Sequence, residues 1–558
     1  MNKEQKIRLV IISAIIAVLL GVIITALCFI VAKDIPQSGT HSMILSESSL
    51  PLATSPVALT EETAENVITL QSNTATFEGA GAKIEGDTVI INRSGVYSVS
   101  GKLEGQIIVD ASGEDIVIIL DGVYIKSNLT SALYVYRANS VTLVLNGETE
   151  NLLSDAESYS KESPYYNAQT NEPNATIFAN SNLVVRGSGS LKILGNCYSG
   201  IVCKGGLQVK NTNLDLSSKI NGIKTVLGAE MQNSTVKITA PETAVKSGAV
   251  SLKNSNIFVY SEAVGIESDT DFAVEDCSIS IASSQQNSSL CGFKANGSLT
   301  LNGGNILLNC QGDGMIVKGD LTITAGIVNV FTKGEGLRSD STLKISDGVV
   351  SISQSGNGLR GSAVEISGGA LHITSENDGI KAYGDNISIY NKIAISNGHI
   401  YVNAKRSGLS SAGSIEISDG DIVICGSQSS AGAAVYYAGD FKISGGTLLA
   451  SGVNAVSKTP ANTEQNCIIV NFATSVKQDK YAQIKGEDFS FSFKAVTDIQ
   501  SVLFSSPELM EDKEYTLGYG GKYSGGEGID SVYTNGKYSG GKKYKFNLSE
   551  GLNNLTID

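Results

Sequence analysis

A polar residue, a glycine, an aliphatic residue and a Lys or Arg recur in that order between Gly200 and Gly408, and this beat limits the possible folds more than any other feature. The glycines are Gly200, Gly222, Gly265, Gly292, Gly314, Gly336, Gly358, Gly379 and Gly408, with Ala244 standing in for one, at steps of 21 to 29 residues. A unit that short cannot bury its own apolar face and must stack on copies of itself, so the period marks a solenoid. Runs such as Ile116-Val-Ile-Ile-Leu, Val141-Thr-Leu-Val-Leu, Leu343-Lys-Ile and Ile415-Glu-Ile, set between turn residues, make the units strands rather than helices. The expectation is an all-β chain, a parallel β-helix whose functional residues form columns rather than one pocket.

The 558 residues contain 60 Gly, 8 Pro and no Trp, with 41% hydrophobic residues, which suits many short strands around a continuous core and excludes a collagen or proline-rich tract. Leu9 to Ala32 is uncharged and, at about 1.5 Å per helical residue, exceeds the roughly 30 Å hydrocarbon core of a bilayer. It is also longer than the apolar region of a cleaved signal. Lys3, Lys6 and Arg8 precede it and only Lys33 follows closely, which places the N-terminus in the cytoplasm and the remainder outside the cell. Pro36, Pro51 and Pro56 among Ser, Thr and Glu make a stalk.

The expected organisation is a cytoplasmic tail (1–8), a transmembrane anchor (9–32), the stalk (33–66), the β-helix (67–455) and a C-terminal β module (456–558) carrying Gly521-Lys-Tyr-Ser-Gly-Gly and Gly536-Lys-Tyr-Ser-Gly-Gly as hairpin edges. The first 33 residues carry +3 (Lys3, Lys6, Arg8 and Lys33 against Glu4), so of the total −14 the exterior part holds −17, which disfavours nucleic acid and allows divalent cations. Outside the membrane span, Cys197, Cys203, Cys277, Cys291, Cys310, Cys425 and Cys467 are odd in number and irregularly spaced, as buried thiols rather than a zinc site or disulfide frame would be.

Two columns carry the chemistry. One reads Lys204, Lys224, Lys246, Lys294, Lys318, Arg338, Arg360 and Lys381, is broken by Glu267 and ends at Ser410. The other, just before each glycine, includes Asp313, Glu335, Asn357 and Asp378. Like charges about 4.8 Å apart repel, and acid and base ladders side by side offset that. Three readings stay open: a solvated face of mutually neutralised ladders; a rail for an extended anionic polymer, with the cations taking carboxylates and Asp313 and Asp378 holding Ca²⁺; and a lyase using the same acids and arginines. His372 and His399 are isolated within strands and read as surface residues. Tyr159, Tyr165 and Tyr166 lie on a polar loop from Ser154 to Asn174, where ligand contacts are common.

Gly101-Lys-Leu-Glu-Gly, Ile119-Leu-Asp-Gly-Val, Asn151-Leu-Leu-Ser-Asp, Asn174-Ala-Thr-Ile-Phe, the Asp378-Gly-Ile-Lys repeat, Ile443-Ser-Gly-Gly-Thr-Leu and Gly521-Lys-Tyr-Ser-Gly-Gly together resemble the clostridial carbohydrate-binding β-helix family of cell-surface proteins, from about Val67 onward. The resemblance implies a right-handed, pectate-lyase-like parallel β-helix, calcium sites, no hydrolytic role, and binding of plant polysaccharides such as polygalacturonate and cellulose. In the rail reading Lys318, Arg338, Arg360 and Lys381 are the expected ligand contacts and Asp313, Asp378 and Asp385 the expected metal ligands, while Tyr436 and Tyr437 either stack on sugar rings or are buried between the coils and the C-terminal module. Where the family pattern places acids near the end of the solenoid, this chain has Ser407-Gly-Leu-Ser and Val435-Tyr-Tyr-Ala, so no calcium is expected there.

Overall fold

The computed structural model describes residues 63–284, 290–384, 391–460 and 463–558. The expected membrane span, most of the stalk and Asp385 lie outside the described residues. Those described form strands and turns, with no helix long and apolar enough to cross a membrane. They divide into two compact units, meeting in sequence at Gly312 and Asp313.

In the unit ending at Gly312, each coil contributes a short strand and two longer ones. After Gly222 these are Ile223–Thr225, Gly228–Gln232 and Thr235–Ala240. Each pairs in parallel with its counterparts one coil away: Ile223 with Val245, Met231 with Leu252, Ile238 with Val259. Inward positions therefore stack like on like, and Ile201, Ile223, Val245, Ile266 and Phe293 are fully buried. The corner between the two longer strands needs a left-handed residue, and Asn211, Asn233, Asn254 and Asp276 supply it at φ of 46 to 53°. The first coil carries antiparallel hairpins, Asn66–Ser72 with Thr74–Glu78 and Ala82–Glu85 with Thr88–Ile91.

The repeated glycine has a steric cause. A Cβ on Gly222 would stand 2.4 Å from the Ile238 side chain and 2.5 Å from the Ala244 carbonyl oxygen; on Gly265, 2.7 Å from Ile281; on Gly408, 1.9 Å from Ile424. The short strand thus passes close to an aliphatic residue on the last strand of its own coil. At the one beat held by Ala244, the register position of Ile238 and Ile281 is taken by the shorter Val259.

The unit from Asp313 repeats the design, with glycine replacing asparagine at the left-handed corner, for example Gly348 and Gly420. Leu337, Leu359, Ile380, Leu409 and Val435 stack through its core. The C-terminal residues do not form a detached module. Thr447–Gly452 pairs antiparallel with Ile499–Ser505, which pairs with Cys467–Val476, so the solenoid sheet runs on into them. Tyr401, Val423, Cys425 and Leu449, on the outer face of the coils, pack into one apolar cluster with Phe472, Phe493, Phe504 and Tyr519. The twin Gly-Lys-Tyr-Ser-Gly-Gly motifs pair with each other. Tyr523 lies opposite Tyr538, and each phenol oxygen accepts a hydrogen bond from the first glycine of the other motif, Gly536 N–H at 2.7 Å and Gly521 N–H at 3.1 Å. Cys203, Cys277, Cys425 and Cys467 are buried thiols, and burial pushes each up to about 11.

Candidate functional site

Side chains alternate along a strand, so the residue after each core aliphatic of a short strand points outward. In the unit from Asp313 this outward column is Ile316, Arg338, Arg360, Lys381, Ser410 and Tyr436. Lys318 is not in it. It stands two residues beyond Ile316, exposed past the end of the strand, and Lys204 is displaced in the same way by Val202. Both lysines lie four residues after their glycine, whereas the true column lies two after.

The cations of this face are held by carboxylates. Arg360 donates to Glu335 at 3.3 Å, Lys381 lies 3.4 Å from Asp378, and Arg338 donates to Asp340 at 2.8 and 2.9 Å. Arg406, two residues before Gly408, grips both oxygens of Asp378. In the pairs of Arg360, Lys381 and Arg406 the carboxylate is the deeper member, and Asp378 is fully buried, so the surface presents the cation. Tyr383, two residues beyond Lys381, has the Arg360 guanidinium 5.9 Å and the Lys381 ammonium 5.4 Å from its ring centre. Tyr383 and Tyr436 are each 45% exposed. Tyr383 is an addition to the expected contacts, legible as the next outward position after Lys381. Tyr437 is a correction: inward by alternation, it is 4% exposed, its hydroxyl donates to the Lys458 carbonyl at 2.8 Å, and it cannot offer a face to a ligand.

The column before the glycines does structural work. Asp313 accepts the N–H of Glu335 at 2.6 Å, Asn357 accepts that of Asp378 at 3.0 Å, and Asn357 donates to Glu335 at 3.0 Å, each bond tying one coil to the next. Asp313 and Asp378 do not fit a calcium ion. They stand three coils apart, roughly 14 Å at the strand spacing, and both oxygens of Asp378 already serve Arg406. Among the described residues no group of three or more His, Cys, Asp or Glu is arranged to hold a metal.

Burial pushes the Asp313 carboxyl up to about 6, the Glu335 N–H opposing this, the Glu335 charge adding to it, and Arg338 and Arg360 opposing it. The folded state therefore holds this proton more tightly than the unfolded state, and stability falls as pH rises from about 4 to about 6. Asp313→Asn keeps the acceptor for Glu335 and removes the charge. It is expected to raise stability at pH 7 by about 2 kcal/mol and to change little at pH 4, a difference that denaturant titration at the two pH values measures.

In the unit ending at Gly312 the same outward column begins apolar, with Ile90, Ile108, Tyr134, Phe178 and Val202, all buried, and Tyr165 of the 156–174 loop packs against them. Tyr159 donates to Asp155 and to the Ala175 carbonyl, both at 2.9 Å. These two tyrosines fasten the loop down rather than reach outward. Farther along, Glu267 is clamped between Lys294 at 2.9 Å and Lys246 at 3.4 Å. Burial opposes its ionisation, yet the two lysines hold its carboxyl below the usual range. Here the charged column neutralises itself.

A family model described as a carbohydrate-binding domain-containing protein matches residues 85–335 and again 330–492. A protein of that same description from Acetivibrio thermocellus is 32% identical over 140 residues, covering 25% of this chain and 48% of the relative, so the chain spans about half the length of the curated relative it matches. A solved chain described as the polysaccharide lyase-like protein from C. thermocellum, a gadolinium derivative, aligns at TM-score 0.38 and 24% identity, covering 42% of this chain and 96% of that one.

Proposed function

The chain belongs to the family of carbohydrate-binding domain-containing proteins, and from that premise we propose that it binds an extended acidic polysaccharide of the polygalacturonate type, without cleaving it, along the outward face from Arg338 to Tyr436. The observation that carries this reading is the in-register run Arg338, Arg360, Lys381 with Tyr383 and Tyr436 exposed beside it. Cations on successive coils match a polymer whose carboxylates recur along an extended chain, and guanidinium groups bind carboxylates through paired, charge-assisted hydrogen bonds. The ion pairs beneath fix the cations before the ligand arrives, which lowers the ordering cost of binding. Each guanidinium has five N–H donors, and one contact to Glu335 leaves Arg360 others for a ligand. The tyrosine rings supply apolar faces for sugar rings.

The lyase alternative needs a base free to take a proton next to a carboxylate. Arg338 and Arg360 are both engaged by carboxylates, which favours the binding reading. In the same proposal, residues 9–32 anchor the protein as a single-pass membrane protein with the β-helix outside the cell, and binding is independent of calcium.

Calorimetric titration with polygalacturonate and with its methyl-esterified form tests this. Affinity should fall as salt rises and fall again on esterification, and it should be unchanged by a calcium chelator. Equal affinity for the esterified polymer would remove charge recognition. Ultraviolet absorbance from unsaturated uronate ends would replace binding with lyase activity.

A further inference from the structure

His372 and His399 converge on a residue that sequence separation hides. They lie on neighbouring coils, on the strands Ala370–Ser375 and His399–Ala404. His399 Nε2 is 2.8 Å from Asp530 Oδ2 and His372 Nε2 is 3.3 Å from Asp530 Oδ1. Asp530 stands at the tip of a C-terminal hairpin, between the strands Glu527–Ile529 and Val532–Thr534, so one carboxylate is shared by two imidazoles of the solenoid flank.

The tip is built at a conformational cost. Asp530 and Ser531 both have positive φ, 48° and 71°, in a two-residue turn where Asn-Gly is the sequence of least strain. The Asp530 side chain is 17% exposed, and Tyr401 and Cys425 lie beneath the tip, next to Ser531. Tyr401 stacks on the His372 ring at 4.6 Å between centres. The other titratable group facing His399 is Asp421, whose charge acts in the same sense as that of Asp530.

We propose that the His372–Asp530–His399 contact is a pH-sensitive latch that holds the 527–534 hairpin against the solenoid when the His399 imidazole is protonated and loosens it when that ring is neutral. This latch does not depend on the polysaccharide reading. The wider C-terminal sheet stays attached through its apolar cluster, so only the hairpin responds.

The direction follows from the surroundings. Burial alone would depress the His399 imidazole, but the hydrogen bond and charge of Asp530, with Asp421 adding, raise it above its ordinary value. Burial would push Asp530 up, and the two imidazoles hold it well below the carboxylate range. The histidine contribution is therefore complete below the unfolded imidazole value, about 6.5, and is lost as pH rises through the higher folded one. The carboxylate contribution is present above the unfolded carboxylate value, about 4, and is lost progressively as pH falls below it. A neutral imidazole can still donate one N–H, so the contact weakens rather than vanishes.

Hydrogen exchange of the full chain tests the latch, read on peptides covering 525–536 and normalised for the chemical exchange rate at each pH. Between about pH 5.5 and about pH 8.5, protection of the hairpin amides should fall severalfold, because the raised imidazole of His399 loses its proton across this range. Asp530→Asn, which keeps a residue suited to the turn, should lower protection at the acidic pH and abolish most of the pH dependence. His399→Gln should do the same in part. Wild-type protection equal at both pH values, or the same dependence in Asp530→Asn and His399→Gln, would overturn the proposal.

Discussion

Gly222→Ala is expected to destabilise the unit ending at Gly312 by about 2–3 kcal/mol, the cost of overpacking a site that cannot relax. The added Cβ would stand 2.4 Å from Ile238 and 2.5 Å from a backbone carbonyl oxygen, and the carbonyl belongs to the parallel ladder that joins the coils. Gly206→Ala is the control: its Cβ would meet nothing nearer than 3.7 Å, and the change should stay within about 0.5 kcal/mol. Ile238→Ala removes the Cγ2 methyl that the new Cβ would meet, so the loss in the double variant Gly222→Ala, Ile238→Ala should be smaller than the sum of the two single losses. A double-mutant cycle isolates that coupling. Additive effects of Gly222→Ala and Ile238→Ala would show that the period is not set by this contact.

That contact explains how much of the fold was legible. The glycine is forced once per coil by a close approach, so it survives as a visible beat when the strands around it vary. The register within the beat was equally available but misread. Counting two residues from each glycine gives Val202 and Ile316; counting four gives the conspicuous lysines, Lys204 and Lys318, which lie outside the column. Alternation likewise separates Tyr436 from Tyr437, since Val435 is in the core and its neighbours at odd and even offsets face opposite ways.

Other features could not be read from local pattern. Arg406 reaches Asp378 across 28 residues and His399 reaches Asp530 across 131, and neither spacing repeats. His372 and His399 read as surface residues because the cover of this outer face, the C-terminal sheet that also packs on Tyr401, Val423 and Leu449, comes later in the chain. The acidic column resembled a metal site in composition, but its carboxylates and amides bind backbone N–H groups and cations of adjacent coils.

The second large effect concerns the outward cations. Replacing Arg338, Arg360 and Lys381 together by glutamine keeps their stems and some donors while removing three charges. Glutamine is preferred to alanine here because the partly buried Glu335 keeps a hydrogen-bonding neighbour and Asp378 keeps Arg406. Hydrogen bonds to charged groups contribute about 1.5–3 kcal/mol each, and exchange with the existing ion pairs consumes part of that gain. A loss of at least about tenfold in affinity for polygalacturonate follows, with a flatter salt dependence. Some thermal stability is lost as well, since Glu335 and Asp378 are largely buried and each loses a charged partner, so affinities are compared at a temperature where both chains are folded.

The affinity of the triple variant Arg338→Gln, Arg360→Gln, Lys381→Gln for polygalacturonate, beside that of the unaltered chain in the same buffer, tests the central claim most directly. The account predicts at least about a tenfold weaker Kd at a temperature where both chains are folded. An unchanged Kd would contradict it and return the column to a solvated, self-neutralised face.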